Sequence, residues 1–430
     1  MRETREKVEV GEMKRESLAA VHTHTHTHTS SFSEIIKSEK AITLVALVVT
    51  IIVLIILAGV SISLIIGNNG IMQKAAKGRE DYTGAAINEQ LDLNKIEDYI
   101  EDNTSNKSEI EKYRKSGKYF ESPTTIKDEN ENEIKVPQGF KIAADSGLNV
   151  TEGIVIEDND IIEGIGNNRG NQYVWIPVGN EIKKNDGTTI NITLGRYEFA
   201  TDGTPILKQD AANYTQEVII NSYYKELETS RVGEVDSNNH LNDTNTTALN
   251  LKGFVDSVKA NGGYYIARYE ASYGTDGKAN SKISNSYSTS NRPNKEGQLW
   301  NYITQINATT TSRNLYNTVN SDLINSYAWD TAIVYIQNFS GDTDYSRQTS
   351  LNTSLANTGV NNDEKCKIND MSSNIREWTT EYCTNVTSSN PTPCTSRGGG
   401  YKGNICAGSR IQQKCYVNPH DISFRCALYM

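Results

Sequence analysis

The residues most able to do chemistry are six cysteines, all between Cys366 and Cys426. Thiols can pair, hold a soft metal or act as nucleophiles. An even number in one tight cluster favours disulfides in an oxidising space. Six cysteines leave fifteen pairings open. Short spacing favours Cys383–Cys394 and Cys406–Cys415, which leaves Cys366 for Cys426. The competing use is zinc through Cys406, Cys415, His420 and Cys426, but the compact paired spacing of a zinc finger or ribbon is missing. A second tract, His22 to Thr29, alternates His with Thr in a polar leader and has the composition of a weak metal binder.

The elements that must position these cysteines begin far upstream. Residues Ala41 to Ile66 carry no charge. As a helix they would extend roughly 39 Å, against a hydrocarbon core of about 30 Å. The sequence therefore predicts one N-terminal transmembrane helix, with its polar groups satisfied internally. Lys37 and Lys40 precede it and Lys74, Lys77 and Arg79 follow, so flanking charge does not settle orientation. Formal net charge is −10, while residues 1–40 balance seven basic against seven acidic side chains. The acidic excess thus lies beyond Ile66, which argues against a nucleic-acid partner.

Beyond the apolar stretch, Ile87, Leu91, Ile96 and Ile100 recur at helical spacing. Residues 103–135 are rich in Asn, Ser, Lys and Glu and read as a stalk. From Val136 short apolar runs alternate with turn signals. Tyr173 to Gly179 and Gly262 to Glu270 are strand-like, and Leu323 to Asn338 suits a helix packed on a core. Residues 200–250 are polar and read as a surface insertion. The expected domains are a leader (1–41), a helix and its extension (42–102), a stalk (103–135) and a head (136–430).

The order Ser38-Glu39-Lys40-Ala41-Ile42-Thr43-Leu44 before an apolar helix resembles the N-terminus of a type IV prepilin. That resemblance implies cleavage between Ala41 and Ile42 by a prepilin peptidase, and contact with pilin-like assembly machinery. Two positions depart from the family: Ala41 stands where Gly is usual, and Ala46 where Glu is usual. A plain signal-anchor is the competing reading.

The last sixty residues carry a second resemblance. Asn374-Ile375-Arg376-Glu377-Trp378, Arg397-Gly398-Gly399-Gly400-Tyr401, Ala407-Gly408-Ser409-Arg410 and Ser423-Phe424-Arg425-Cys426 occur in that order. The series is similar to the formylglycine-generating-enzyme-like (sulfatase-modifying factor) domain of the C-type-lectin-like fold. It implies an α+β head with little regular structure, knit by Trp378, Arg397, Gly398, Gly399 and Arg425. It also implies a structural calcium at Asn374 and Glu377, although no cofactor is required. Oxidising members hold copper on two cysteines five residues apart. Cys406 occupies the second position and Tyr401 the first, so the pair is incomplete and catalysis is disfavoured. Tyr401, Asn404, Tyr416 and Asn418 then become the expected ligand-binding residues, Tyr giving contact area at low entropic cost and Asn adaptable hydrogen bonds.

Together these readings give a single-pass cell-membrane protein whose head binds an extracellular ligand of unknown class, with filament membership open. The alternatives are a formylglycine-type oxidoreductase, a minor pilin acting in assembly, and a variable ligand-binding protein of a diversity-generating retroelement.

Overall fold

The computed structural model describes residues 39–66, 71–104, 108–163, 165–226, 248–290, 294–350, 353–360, 362–384, 392–415 and 419–430. The expected leader lies outside them up to Ser38, as do residues 227–247 of the expected insertion.

The chain divides into two compact units, residues 1–99 and 100–430. The first contains helix α1 (Glu39–Ile66) and most of helix α2 (Ile71–Thr104). Side chains of α1 are described only from Ala46 to Ile62 and are exposed. Among the described residues no helix is long and apolar enough to cross a membrane. This corrects the expected transmembrane helix, and with it the single-pass localisation and the pilin-like anchor.

The second unit is richer in regular structure than the sequence suggested. Among its described residues are four α-helices after Thr104 and twenty-three β-strands, which corrects the expectation of a sparsely ordered head on a membrane helix. The expected stalk, residues 103–135, instead carries helix α3 (Glu109–Ser116) and, running into the first residue of the expected head, a hairpin of Thr124–Lys127 with Glu133–Val136. Ser108 caps α3 through its hydroxyl and Gly117 ends it in the left-handed region, the residue type that needs least strain there. Ile110, Ile126 and Ile134 are buried in the core.

A central six-stranded sheet organises this unit. Its order is Asn320–Leu323, Cys426–Tyr429, Gly263–Ala267, Gln172–Pro177, Val155–Glu157, Lys141–Ile142. Gln172–Pro177 and Gly263–Ala267 are buried at every position, as expected for strands covered on both faces. Helix α4 (Leu251–Asn261) leads directly into Gly263–Ala267, with Asn250 as N-cap and Gly262 as left-handed stop. Helix α6 (Ser326–Phe339) is buried almost all round, which marks it as a core helix. Between them lies the shorter helix α5 (Gln305–Ser312).

A second, five-stranded sheet holds the motif-bearing residues. Arg376–Cys383 pairs antiparallel with Cys394–Arg397 and parallel with Ile422–Phe424. Arg410–Gln413 extends the sheet from Cys394–Arg397, and Tyr224–Lys225 pairs at the other edge.

Candidate functional site

The second sheet is held by buried charge. Glu381 accepts from Arg196 at 2.9 Å and from Arg410 Nε at 2.9 and 3.1 Å, and Arg397 approaches at 3.4 Å. Asp330, on α6, takes Arg397 at 2.5 Å and also Arg410. All five side chains are essentially without solvent exposure. Burial alone would push the Glu381 carboxyl up, but Arg410, Arg397 and Arg196 outweigh it and hold it at about 2. Further donors reach backbone: Arg410 to Tyr197 O, Arg397 to Ser409 O, and Arg196 to Val218 O and Tyr224 O, while Arg196 also donates to Gln209 Oε1. Planar guanidinium forks suit this role, since each can tie carboxylates to carbonyls of irregular chain.

A second pair lies where the last motif meets the first. Arg425 clasps Glu377 through two bonds of 2.6 and 2.5 Å, and also donates to Ala267 O and Asn369 O. The pair therefore joins the central sheet to the second one. Trp378 donates its indole N–H to Ile303 O at 2.9 Å and is fully buried.

Glycine is required at two adjacent positions. Gly398 has φ +82°, and a Cβ there would stand 3.0 Å from Met371 O and the Trp329 ring. A Cβ on Gly399 would lie 1.8 Å from Ser372 O, a main-chain clash with no route of relief. These contacts seat the chain before it turns outward at Tyr401.

The outward loop starts with Tyr401 N donating to Asn374 O at 2.8 Å. Lys402 Nζ lies 5.3 Å from the Tyr401 ring centroid and 2.6 Å from His420 Nε2. The His420 ring is 6.2 Å from Tyr302, and Arg376 pairs with Asp421 at 2.5 Å. Tyr401 is half-buried, and Lys402 and Asn404 are exposed. Tyr416 and Asn418 lie outside the described residues.

The cysteines depart from the expected pairing. Cys394 pairs with Cys415 across 5.2 Å between Cα atoms. This excludes Cys383–Cys394 and Cys406–Cys415, and removes Cys415 from any zinc site. The reason is register: Cys394 opposes Gln413 across the hairpin, so Cys415 falls beside it just past the strand end. Cys366 and Cys426 do not pair. Burial pushes each thiol up to about 12, so neither is a ready thiolate. Cys406 is also outside a disulfide, with Sγ 3.1 Å from Ser409 Oγ. Cys383 Sγ lies 3.5 Å from Gln412 Oε1.

The calcium expected at Asn374 and Glu377 meets occupied donors. Both Glu377 oxygens are on Arg425. The Asn374 amide donates to Glu270 at 2.6 Å and accepts from Ala356 N at 2.9 Å. A cation there would have to displace a guanidinium, so these residues do not fit it. Among the described residues no cluster of three or more His, Cys, Asp or Glu is arranged to hold a metal.

No sequence motif marks Arg196, Asp330 or Glu381. One signal was present: Asp330 is the sole charged residue in a largely apolar run from Tyr327 to Ile336. A carboxylate inside a core helix must find a partner.

No family model matches the chain, so the formylglycine-generating-enzyme-like and prepilin resemblances find no family support. No curated protein matches either. Among solved structures, Treponema denticola variable protein 1 matches with 11% identity, covering 60% of this chain and 96% of that one. The TM-score is 0.23, too low to establish a shared fold.

Proposed function

We propose that residues 100–430 form a ligand-binding module whose contact surface is the loop beginning at Tyr401, and that it is not an enzyme. One observation carries this reading. The loop's backbone is fastened by Gly399 against Ser372 and by Tyr401 N on Asn374, while Lys402 and Asn404 remain exposed. Loops held on a rigid scaffold are where recognition residues concentrate. None of Tyr401, Lys402 or Asn404 belongs to the buried arginine network, so their identities can change at little cost to the fold.

That separation favours the variable-protein alternative over the oxidoreductase. A mutagenic template repeat beside the gene, matching the codons for residues 401–404, would support it directly.

The test uses the full chain against an array of purified bacterial and host surface proteins and glycans. Tyr401→Ala should lower retention on whichever feature binds, with an unchanged melting temperature. Equal retention by the variant moves the site elsewhere. Oxidation of a cysteine-containing sulfatase peptide by the purified protein would overturn the non-catalytic reading.

A further inference from the structure

His420 stands on a fixed mount beside the Tyr401 loop. Its carbonyl accepts from Asn301 Nδ2 at 3.0 Å, and the same amide nitrogen donates to Ser288 O at 3.0 Å. Asn301 is fully buried. The preceding carbonyl, Pro419 O, accepts from Tyr302 N at 3.2 Å. This mount brings the half-buried His420 ring to the exposed Lys402 side chain, with Nε2 and Nζ 2.6 Å apart. The two residues lie 18 positions apart in sequence, so the contact joins two separate segments.

Charge in this contact is unbalanced. An ammonium has donors only, so Nε2 accepts from Lys402 and carries no proton there. Among the described residues, Lys402 meets an imidazole and the Tyr401 ring but no carboxylate. Asp421, next to His420 in the chain, is taken by Arg376 at 2.5 Å. Tyr302, from a third segment, adds a neutral ring 6.2 Å from that of His420. The result is a local positive excess on a chain whose formal net charge is −10.

The sign of that excess names the ligand's charge. When the imidazole gains a proton, Nε2 turns from acceptor to donor, and two cations then face each other at contact distance. An anionic oxygen between them accepts from both, through charge-assisted bonds. The other groups at the pair do not supply one, since Tyr401 and Tyr302 are neutral and Asp421 is already on Arg376. A cationic ligand would meet Lys402 and, once protonated, His420. Resting on the Tyr401 loop as the contact surface, we propose that its ligand carries an exposed oxyanion, a carboxylate, sulfate or phosphate, which seats between Lys402 and His420 and binds more tightly as pH falls.

NMR of the His420 Cε1–H signal on the full chain tests this, with sodium acetate, sulfate and phosphate as probes and sodium chloride as the control at matched ionic strength. His420→Gln assigns the signal. At pH 5.5 at least one oxyanion should shift it saturably, and at pH 8.0 the same ion should bind more weakly. Which ion binds most tightly separates a carboxylate source from a sulfate or phosphate one. Lys402→Met should weaken binding by about threefold, the worth of an exposed charge pair, and Lys402→Arg, which keeps the charge, should retain it. No saturable shift with any oxyanion, an equal response to chloride, tighter binding at pH 8.0, or a Lys402→Met variant that binds as the wild type does overturns the proposal. The titration needs no natural ligand, so it can fail while Tyr401→Ala still lowers retention on the array, and the two readings fall separately.

Discussion

Replacing Glu226 with glutamine should remove a large part of the pH dependence of stability. Glu226 is buried, accepts from Ser326 N and Oγ at 2.8 Å each, and from Thr380 Oγ1 at 2.7 Å. Burial pushes its carboxyl from 4.5 up to about 7, against the opposing pull of these bonds and of Arg196. The folded chain thus holds this proton more tightly than the unfolded chain. The resulting stabilisation is fully present below pH 4.5 and is lost as pH rises through about 7. The gap corresponds to about 3 kcal/mol, or about 4 °C in melting temperature for a unit of this size. Glutamine matches the protonated acid in shape and cannot ionise. Urea unfolding of both proteins at pH 5, 6, 7 and 8 reads the difference directly, since other titrating groups are common to both. The variant should gain on the wild type by up to about 3 kcal/mol between pH 5 and pH 8. A constant difference across that range, or a variant less stable than wild type at pH 8, would refute the reasoning.

The other expectations are simpler. Arg397→Met leaves Asp330 and Glu381 short of a buried partner and should cost about 3–5 kcal/mol in denaturant unfolding, with Arg397→Lys recovering little because one ammonium cannot reproduce the fork; a loss under about 1 kcal/mol would mean the network adjusts. Gly399→Ala should abolish soluble expression, and normal expression would show that Ser372 can move aside. Alkylation in denaturant without reductant should label Cys366, Cys406 and Cys426 and spare Cys394 and Cys415. Labelling of the last two contradicts the assigned disulfide.

Some of this architecture was legible in the residues and some was not. The runs at Tyr173–Gly179 and Gly262–Glu270 hold the two strands at the heart of the central sheet, and Leu323–Asn338 holds α6. Apolar and aromatic density marks such segments because they are buried on all sides. The hairpin at 124–136 was not legible, because each strand is only four residues long, the first carries one apolar residue, Ile126, and polar residues dominate the surrounding composition. The arginines of the terminal motifs could be read as structural, but their carboxylates could not. Arg196 and Glu381 are 185 positions apart in sequence, and no local pattern announces a partner at that distance. Nearness in sequence does not identify the disulfide; strand register does, since it sets Cys415 beside Cys394.

The strand Cys426–Tyr429 lies inside the central sheet, between Gly263–Ala267 and Asn320–Leu323, with Tyr265 opposite Leu428. During synthesis the ribosome must add some 160 further residues after Tyr265 before that partner exists. At about 5–20 residues per second this interval lasts roughly 8–30 s. Throughout it, one edge of a buried apolar strand stands open to pairing with any other extended chain. Closure of the sheet is a long-range event, and such topologies fold slowly. The nascent protein therefore passes through a prolonged aggregation-prone stage. Its yield in a cell should depend on chaperones that shield strand edges more than on the stability of the finished fold.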